Sequence, residues 1–166
     1  LLGIDHYLGA FTGDRSVESV RTLLAERLMA RHEQTSGPDW CWFEDQVTYC
    51  NARLPEALIV SGGRMQRPPM LETGLASLRW LLSVQHSAEG RFAPVGSNGF
   101  LPRGAARAPF DQQPVEACGA VSACLAAVDG VAAQVRLARH RGQPDSEGGS
   151  AVRPAVHAVL PAALPH

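Results

Sequence analysis

The sequence predicts an all-α domain of antiparallel helical hairpins, and three observations carry that prediction. Apolar residues recur at three- and four-residue steps in separate segments, as Val17, Val20, Leu24 and Leu28, and again as Leu71, Leu75, Leu78 and Leu82. Helix-stopping signals fall between and after these segments, at Gly37-Pro38, Ser61-Gly62-Gly63 and Gly90. There is also an internal echo. Asn51 is followed by Pro55 and Glu56-Ala57, and Asp111, 60 residues on, is followed by Pro114 and Glu116-Ala117. A helix, a loop and a second helix fit that period, as expected of repeated hairpins that bury their apolar faces on one another.

The elements follow in order. A short apolar segment opens the chain. The first long helix starts near Ser16, a candidate N-cap, with Glu18, Arg21, Arg27 and Arg31 largely off its stripe. Asp39–Ala57 mixes two tryptophans, an acidic pair, Tyr49, Asn51 and Arg53. One reading makes it a helix capped by Asp39, with Pro55 as a kink. The other starts a helix at Asn51, with Pro55 close to its first turn, and runs it to Val60. After Arg67-Pro68-Pro69 comes the Leu71–Leu82 helix, broadened by Trp80 and Leu81. Residues 90–110 read as a long loop with a small hairpin at Asn98-Gly99. Asp111 is the expected N-cap of a small-residue helix, and Val131–Arg139 either extends it or forms another. The reading thus divides the chain into a helical domain, 1–128, and a tail, 129–166, rich in Ala, Arg, Pro and Gly. Turns or disorder are expected from Gly142 to Pro154, and the tail's composition equally suits a GC-rich gene read out of frame.

Composition narrows the function classes. At 166 residues, 45% hydrophobic and with a net charge of −1, the chain suits one cored domain and gives no basic surface for nucleic acid or an anionic membrane. No membrane span is read, the apolar runs falling short of about 20 residues, and the opening lacks a signal peptide's basic start, so a cytoplasmic location is expected. All 15 basic residues are Arg, a global bias without local meaning. Cys41, Cys50, Cys118 and Cys124 form no C-x-x-C pair and read as free thiols, and the six histidines show no zinc spacing.

The chemistry-bearing residues lie around the two echoed segments. Glu44, Asp45, Asp111 and Glu116 are the candidate acids and bases for activating water on a glycoside. Their plainer roles are a helix cap for Asp111 and pairing of Glu44 or Asp45 with Arg53. Trp42 and Tyr49 offer rings for stacking on a sugar, although Trp42 with Trp40 and Phe43 also suits a core. Asn51, Arg53, Gln112 and Gln113 offer donors and acceptors for hydroxyl groups. The hard oxygens of Glu44, Asp45, Asn51, Asp111 and Glu116 also suit Ca²⁺ or Mg²⁺, which would support a second chemistry on a small ester or lactone. No G-x-S-x-G turn is present for serine chemistry.

The motifs WFEDQVTY at 42–49, NARLPEAL at 51–58, GLASLRWLLSVQ at 74–85, GRFAPVGSNGF at 90–100 and FDQQPVEA at 110–117 carry a resemblance. From about Leu2 to Ala127 the chain resembles the C-terminal helical domain of many bacterial glycosyltransferases and related standalone proteins, of the six-hairpin-glycosidase or (α/α)6-toroid type. The resemblance implies part of a toroid, with a pocket at its mouth lined by the starts of inner helices and their preceding loops. It implies carbohydrate-related hydrolase chemistry, or else a non-catalytic sugar-binding module left from a glycosyltransferase. The partner would be a small molecule, a sugar by preference. A toroid needs about twelve helices and four or five are read here, so homo-oligomerisation through exposed helix faces is expected. No Gly-rich turn for a nucleotide sugar occurs, so glycosyl transfer by this chain is not expected.

Overall fold

The computed structural model describes residues 1–140, with side chains described as far as Arg136. Five helices dominate these residues: α1 (Leu2–Ala10), α2 (Arg15–Thr35), α3 (Arg53–Arg64), α4 (Pro68–Val84) and α5 (Pro114–His140). Two short strands, β1 (Gln46–Val47) and β2 (Leu101–Pro102), pair antiparallel with Gln46 opposite Pro102 and Val47 opposite Leu101.

The α3–α4 hairpin is the centre. Leu58, Ile59, Leu71, Leu78 and Leu81 are all at most 1% exposed. Two glycines set how closely the helices approach. A Cβ on Gly74 would lie 2.8 Å from Ile59 Cγ1 and 2.9 Å from the Ile59 nitrogen; one on Gly62 would lie 2.6 Å from the Leu71 nitrogen. Ser61-Gly62-Gly63, expected as a stop, therefore lies inside α3, where the missing side chains admit the next helix.

α5 packs on α3 through small residues: Ala120, Ala123 and Ala127 are buried, and a Cβ on Gly130 would meet Leu71 Cδ1 at 3.1 Å and Ile59 Cγ2 at 3.3 Å. It runs unbroken past Val128 to His140, so Val131–Arg139 extends the helix. The expected turns at Gly142–Pro154 lie outside the described residues.

α1 and α2 sit to the side. Asp14, not Ser16, caps α2, its carboxylate accepting from the Val17 N–H at 3.1 Å. Of the expected apolar stripe, Val17, Leu24 and Leu28 are half-buried and Val20 is exposed, while Ala25, outside those four, is fully buried. A buried polar clamp holds this corner, in which Asp5 of α1 accepts from Arg21 of α2 at 3.3 Å and from Ser61 of α3 at 2.7 Å.

The helix expected from Asp39 is absent. Residues 39–52 form bends, turns and β1, and α3 begins at Arg53, close to the second reading. The reason is packing. Trp40 and Trp42 both contact Trp80, with ring centroids at 4.8 and 5.6 Å. Residues two apart share a side in an extended chain and fall on opposite sides of a helix. Pro55, in the first turn of α3, gives up a hydrogen bond that no helix makes there.

The 90–110 loop is ordered by long-range pairing. Ser97–Gly99 forms the expected turn, with Gly99 at φ 117°, but β2 pairs with β1 of the earlier aromatic segment. A local antiparallel bridge joins His86 to Phe92.

Candidate functional site

The N-terminal ends of α3 and α5 meet, and one carboxylate joins them. Glu116, in the first turn of α5 and 3% exposed, accepts from the Cys50 N–H at 2.5 Å, the Asn51 N–H at 3.2 Å and Asn51 Nδ2 at 3.0 Å. Asn51 in turn closes the 48–51 turn, its Oδ1 accepting from the Thr48 N–H at 2.9 Å and its Nδ2 donating to the Thr48 carbonyl at 3.2 Å. A second bond set lies one turn deeper. Glu56 accepts from Ser122 at 2.7 Å and from Arg53 at 2.8 Å, and Arg53 also donates to Ser122 at 3.2 Å. The two echoed glutamates thus both tie α5 to the α3 region, Glu56 from within α3 and Glu116 through the turn that precedes it.

The segments that enter these ties present side chains outward. Tyr49 is 55% exposed and Phe110 is 70% exposed, with Asp111 and Gln112 exposed beside Phe110. Cys50 and Asp111 hold φ of 52° and 59°, in the left-handed region that non-glycine residues seldom adopt. Asp111 therefore does not cap α5. Its carbonyl instead accepts from the Ser97 N–H at 3.1 Å and Ser97 Oγ at 3.0 Å, fastening the 97–99 turn to the same mouth. Its carboxylate has no hydrogen-bond partner among the described residues and points to no capping role. Gln112 and Gln113 donate to the nearby carbonyls of Pro109 and Asp111 at 3.2 and 3.3 Å.

The other predicted residues lie elsewhere. Glu44 is exposed, and its backbone carbonyl accepts from Trp40 Nε1 at 2.7 Å. Asp45 is exposed and pairs loosely with Arg103 at 3.6 Å, not with Arg53. That pair continues the β1–β2 ladder on the side away from Tyr49. Trp42 is fully buried against Trp80 and Phe43, which makes it core and keeps its ring from a ligand. Among the described residues no group of three His, Cys, Asp or Glu side chains converges as a metal-ligand set.

Two features escaped the sequence reading. A cavity of about 450 Å³ lies at the other end of α3, lined by Gly62, Gly63, Arg67, Leu71, Gly130 and Gln134, and it contains none of the expected site residues. At the end of α2, His32 Nε2 lies 3.6 Å from Cys41 Sγ, and the buried Ser77 hydroxyl of α4 lies 3.8 Å from the same sulfur. Burial holds the His32 imidazole below its usual pKa, against a smaller upward pull from Glu33. The nine-residue separation of His32 and Cys41 left no short motif to find.

Within α5, Pro114–Arg136 is long and apolar enough to cross a membrane by length and composition, and 28% of its most apolar window is buried. Comparison with protein-family models, with curated proteins and with solved structures gave no match.

Proposed function

We propose that this chain is a carbohydrate-recognising helical-hairpin domain, part of an (α/α) toroid, whose binding face is the mouth at the starts of α3 and α5. The observation that carries the reading is the contrast between the mouth's two layers. Its lower layer is fixed by Glu116 and Asn51, while its upper layer offers the exposed Tyr49 and Phe110 rings together with Asp111 and Gln112. Rings supply area for a sugar's C–H face, and a carboxylate and amides suit its hydroxyls. Two residues in left-handed conformations at one mouth are what a preorganised ligand site tolerates. The sequence resemblance to glycosyltransferase-associated toroid domains points the same way.

Hydrolysis is the second reading, favoured by the unpartnered Asp111 carboxylate. A glycoside hydrolase needs two working carboxylates across the bond. At this mouth Glu116 is fully engaged by three donors, so Asp111 would need Glu44, Asp45 or a group from another chain as its partner. Recognition without turnover is therefore the leading reading. A cytoplasmic location accompanies both.

Calorimetric or NMR titration with a panel of mono- and oligosaccharides, run beside aryl-glycoside, ester and lactone substrates with and without Ca²⁺, tests this. Binding of at least one sugar is expected, weakened about tenfold by Tyr49→Ala, the order of one stacking contact. Turnover abolished by Asp111→Asn would establish hydrolysis instead, and absence of any saturable sugar binding would overturn recognition.

A further inference from the structure

The geometry points to Cys41 as a peroxide-reactive thiol, with His32 as its base and Ser77 as the donor that steadies the sulfur. Three elements converge there. His32 lies in the last turn of α2, Cys41 in the bend that follows, and Ser77 on the buried side of α4. Sγ lies 3.6 Å from His32 Nε2 and 3.8 Å from Ser77 Oγ. The imidazole is held edge-on to the buried Phe43 ring, with centroids 5.1 Å apart, so its position beside the sulfur is set by the core.

A thiol needs a neighbouring base to become a nucleophile, and an imidazole in van der Waals reach supplies one. A neutral imidazole can take the proton, and the attraction between the resulting imidazolium and thiolate opposes the burial that lowers the His32 pKa. The site is half-buried, which suits a small electrophile better than an acyl or glycosyl substrate. A hydroperoxide fits. The Cys41 proton passes to His32 Nε2, and the thiolate sulfur attacks one peroxide oxygen. The S–O bond forms as the O–O bond breaks, and the leaving oxygen takes the proton back from His32. Cys41 is oxidised by two electrons to the sulfenic acid, and the peroxide is reduced to water or an alcohol. No second cysteine is paired with Cys41 among the described residues, so an external thiol would condense with the sulfenic acid, releasing water.

The test uses the whole chain, treated with dilute hydrogen peroxide and a sulfenic-acid-trapping dione. Peptide mapping by fragment ions then separates Cys41 from Cys50. Cys118, which is exposed and has no hydrogen-bond partner among the described residues, is the internal reference. Cys41 should be trapped at least tenfold faster than Cys118 in the folded chain. In urea the two rates should become equal. His32→Gln should bring Cys41 down to the Cys118 rate or below it. Ser77→Ala should slow Cys41 severalfold, with Cys118 unchanged in both variants. If His32→Gln unfolds the chain, the comparison of folded wild type with urea and the Ser77→Ala variant still decide. Cys41 no faster than Cys118 in the folded wild type, or Cys41 unaffected by both substitutions, would overturn the inference.

Discussion

Glu116 illustrates how a residue's type could be read correctly while its work was decided elsewhere. An acid at that position was legible as special from the Asn51/Asp111 echo. Only the fold shows that its carboxylate binds two backbone N–H groups and one amide of a turn 65 residues earlier. Glu116→Gln would turn an amide donor toward those donors, and hydrogen bonds to a charged group are worth about 1.5–3 kcal/mol. A loss of about 2–4 kcal/mol in urea unfolding is expected, with the mouth loosened; a loss within error would remove Glu116 as the tie. His32 gives a pH signature. Its folded pKa lies below the unfolded 6.5, so the unfolded chain binds the proton more readily. The stability that neutral His32 contributes is complete above about pH 6.5 and is lost as pH falls through the window beneath it. Native protein should therefore become less stable on mild acidification by more than His32→Gln does, a difference that removes the other histidines. Parallel pH profiles for the two proteins would contradict the burial of this imidazole.

At the scale of the element, helices with a single wide apolar face were readable and the aromatic segment was not. In the α4 repeat Leu71, Leu78 and Leu82 are buried and Leu75 is half-buried against the same core. Residues 39–52 are rich in aromatics and answer to Trp80, which no local pattern reveals. Glycine shows the same limit. Ser61-Gly62-Gly63 looks like a stop in isolation, and helix contact gives it another role. Gly74→Ala would force a Cβ to within 3 Å of Ile59 and push α3 and α4 apart. Overpacking of this kind costs about 1–3 kcal/mol, or more where backbone is the obstacle. Thermal unfolding of Gly74→Ala beside Ala76→Gly, a partly exposed position on the same helix, would separate overpacking from helix propensity. A Gly74→Ala chain as stable as native would mean the hairpin is looser than described.

Across the whole molecule, the faces left uncovered matter most. Val121, Leu125 and Val128 follow one another at four and three residues along α5 and are 62, 64 and 40% exposed. They form one apolar stripe on the side of α5 away from α3. A stripe of that kind draws a partner surface, and self-association is the outcome the sequence led us to expect. Leu125→Glu should shift sedimentation toward the monomer at tens of micromolar protein without changing its helix content. A monomeric native chain would end the expectation.

The sequence by itself determined that this protein is helical, where its long regular helices lie, and that two segments 60 residues apart each lead into a helix with a glutamate in its first turn. Those properties follow from local periodicity and from a repeat, both written along the chain. Tertiary structure decided which residues of the two segments face each other and which face out. It put Trp42 in the core, left Asp45 to Arg103, gave Glu116 to the backbone of a distant turn and set His32 beside Cys41. Such pairings depend on which side chain wins a place in a shared interior. That is settled by volume and hydrogen-bond satisfaction across elements, and no window of sequence contains it.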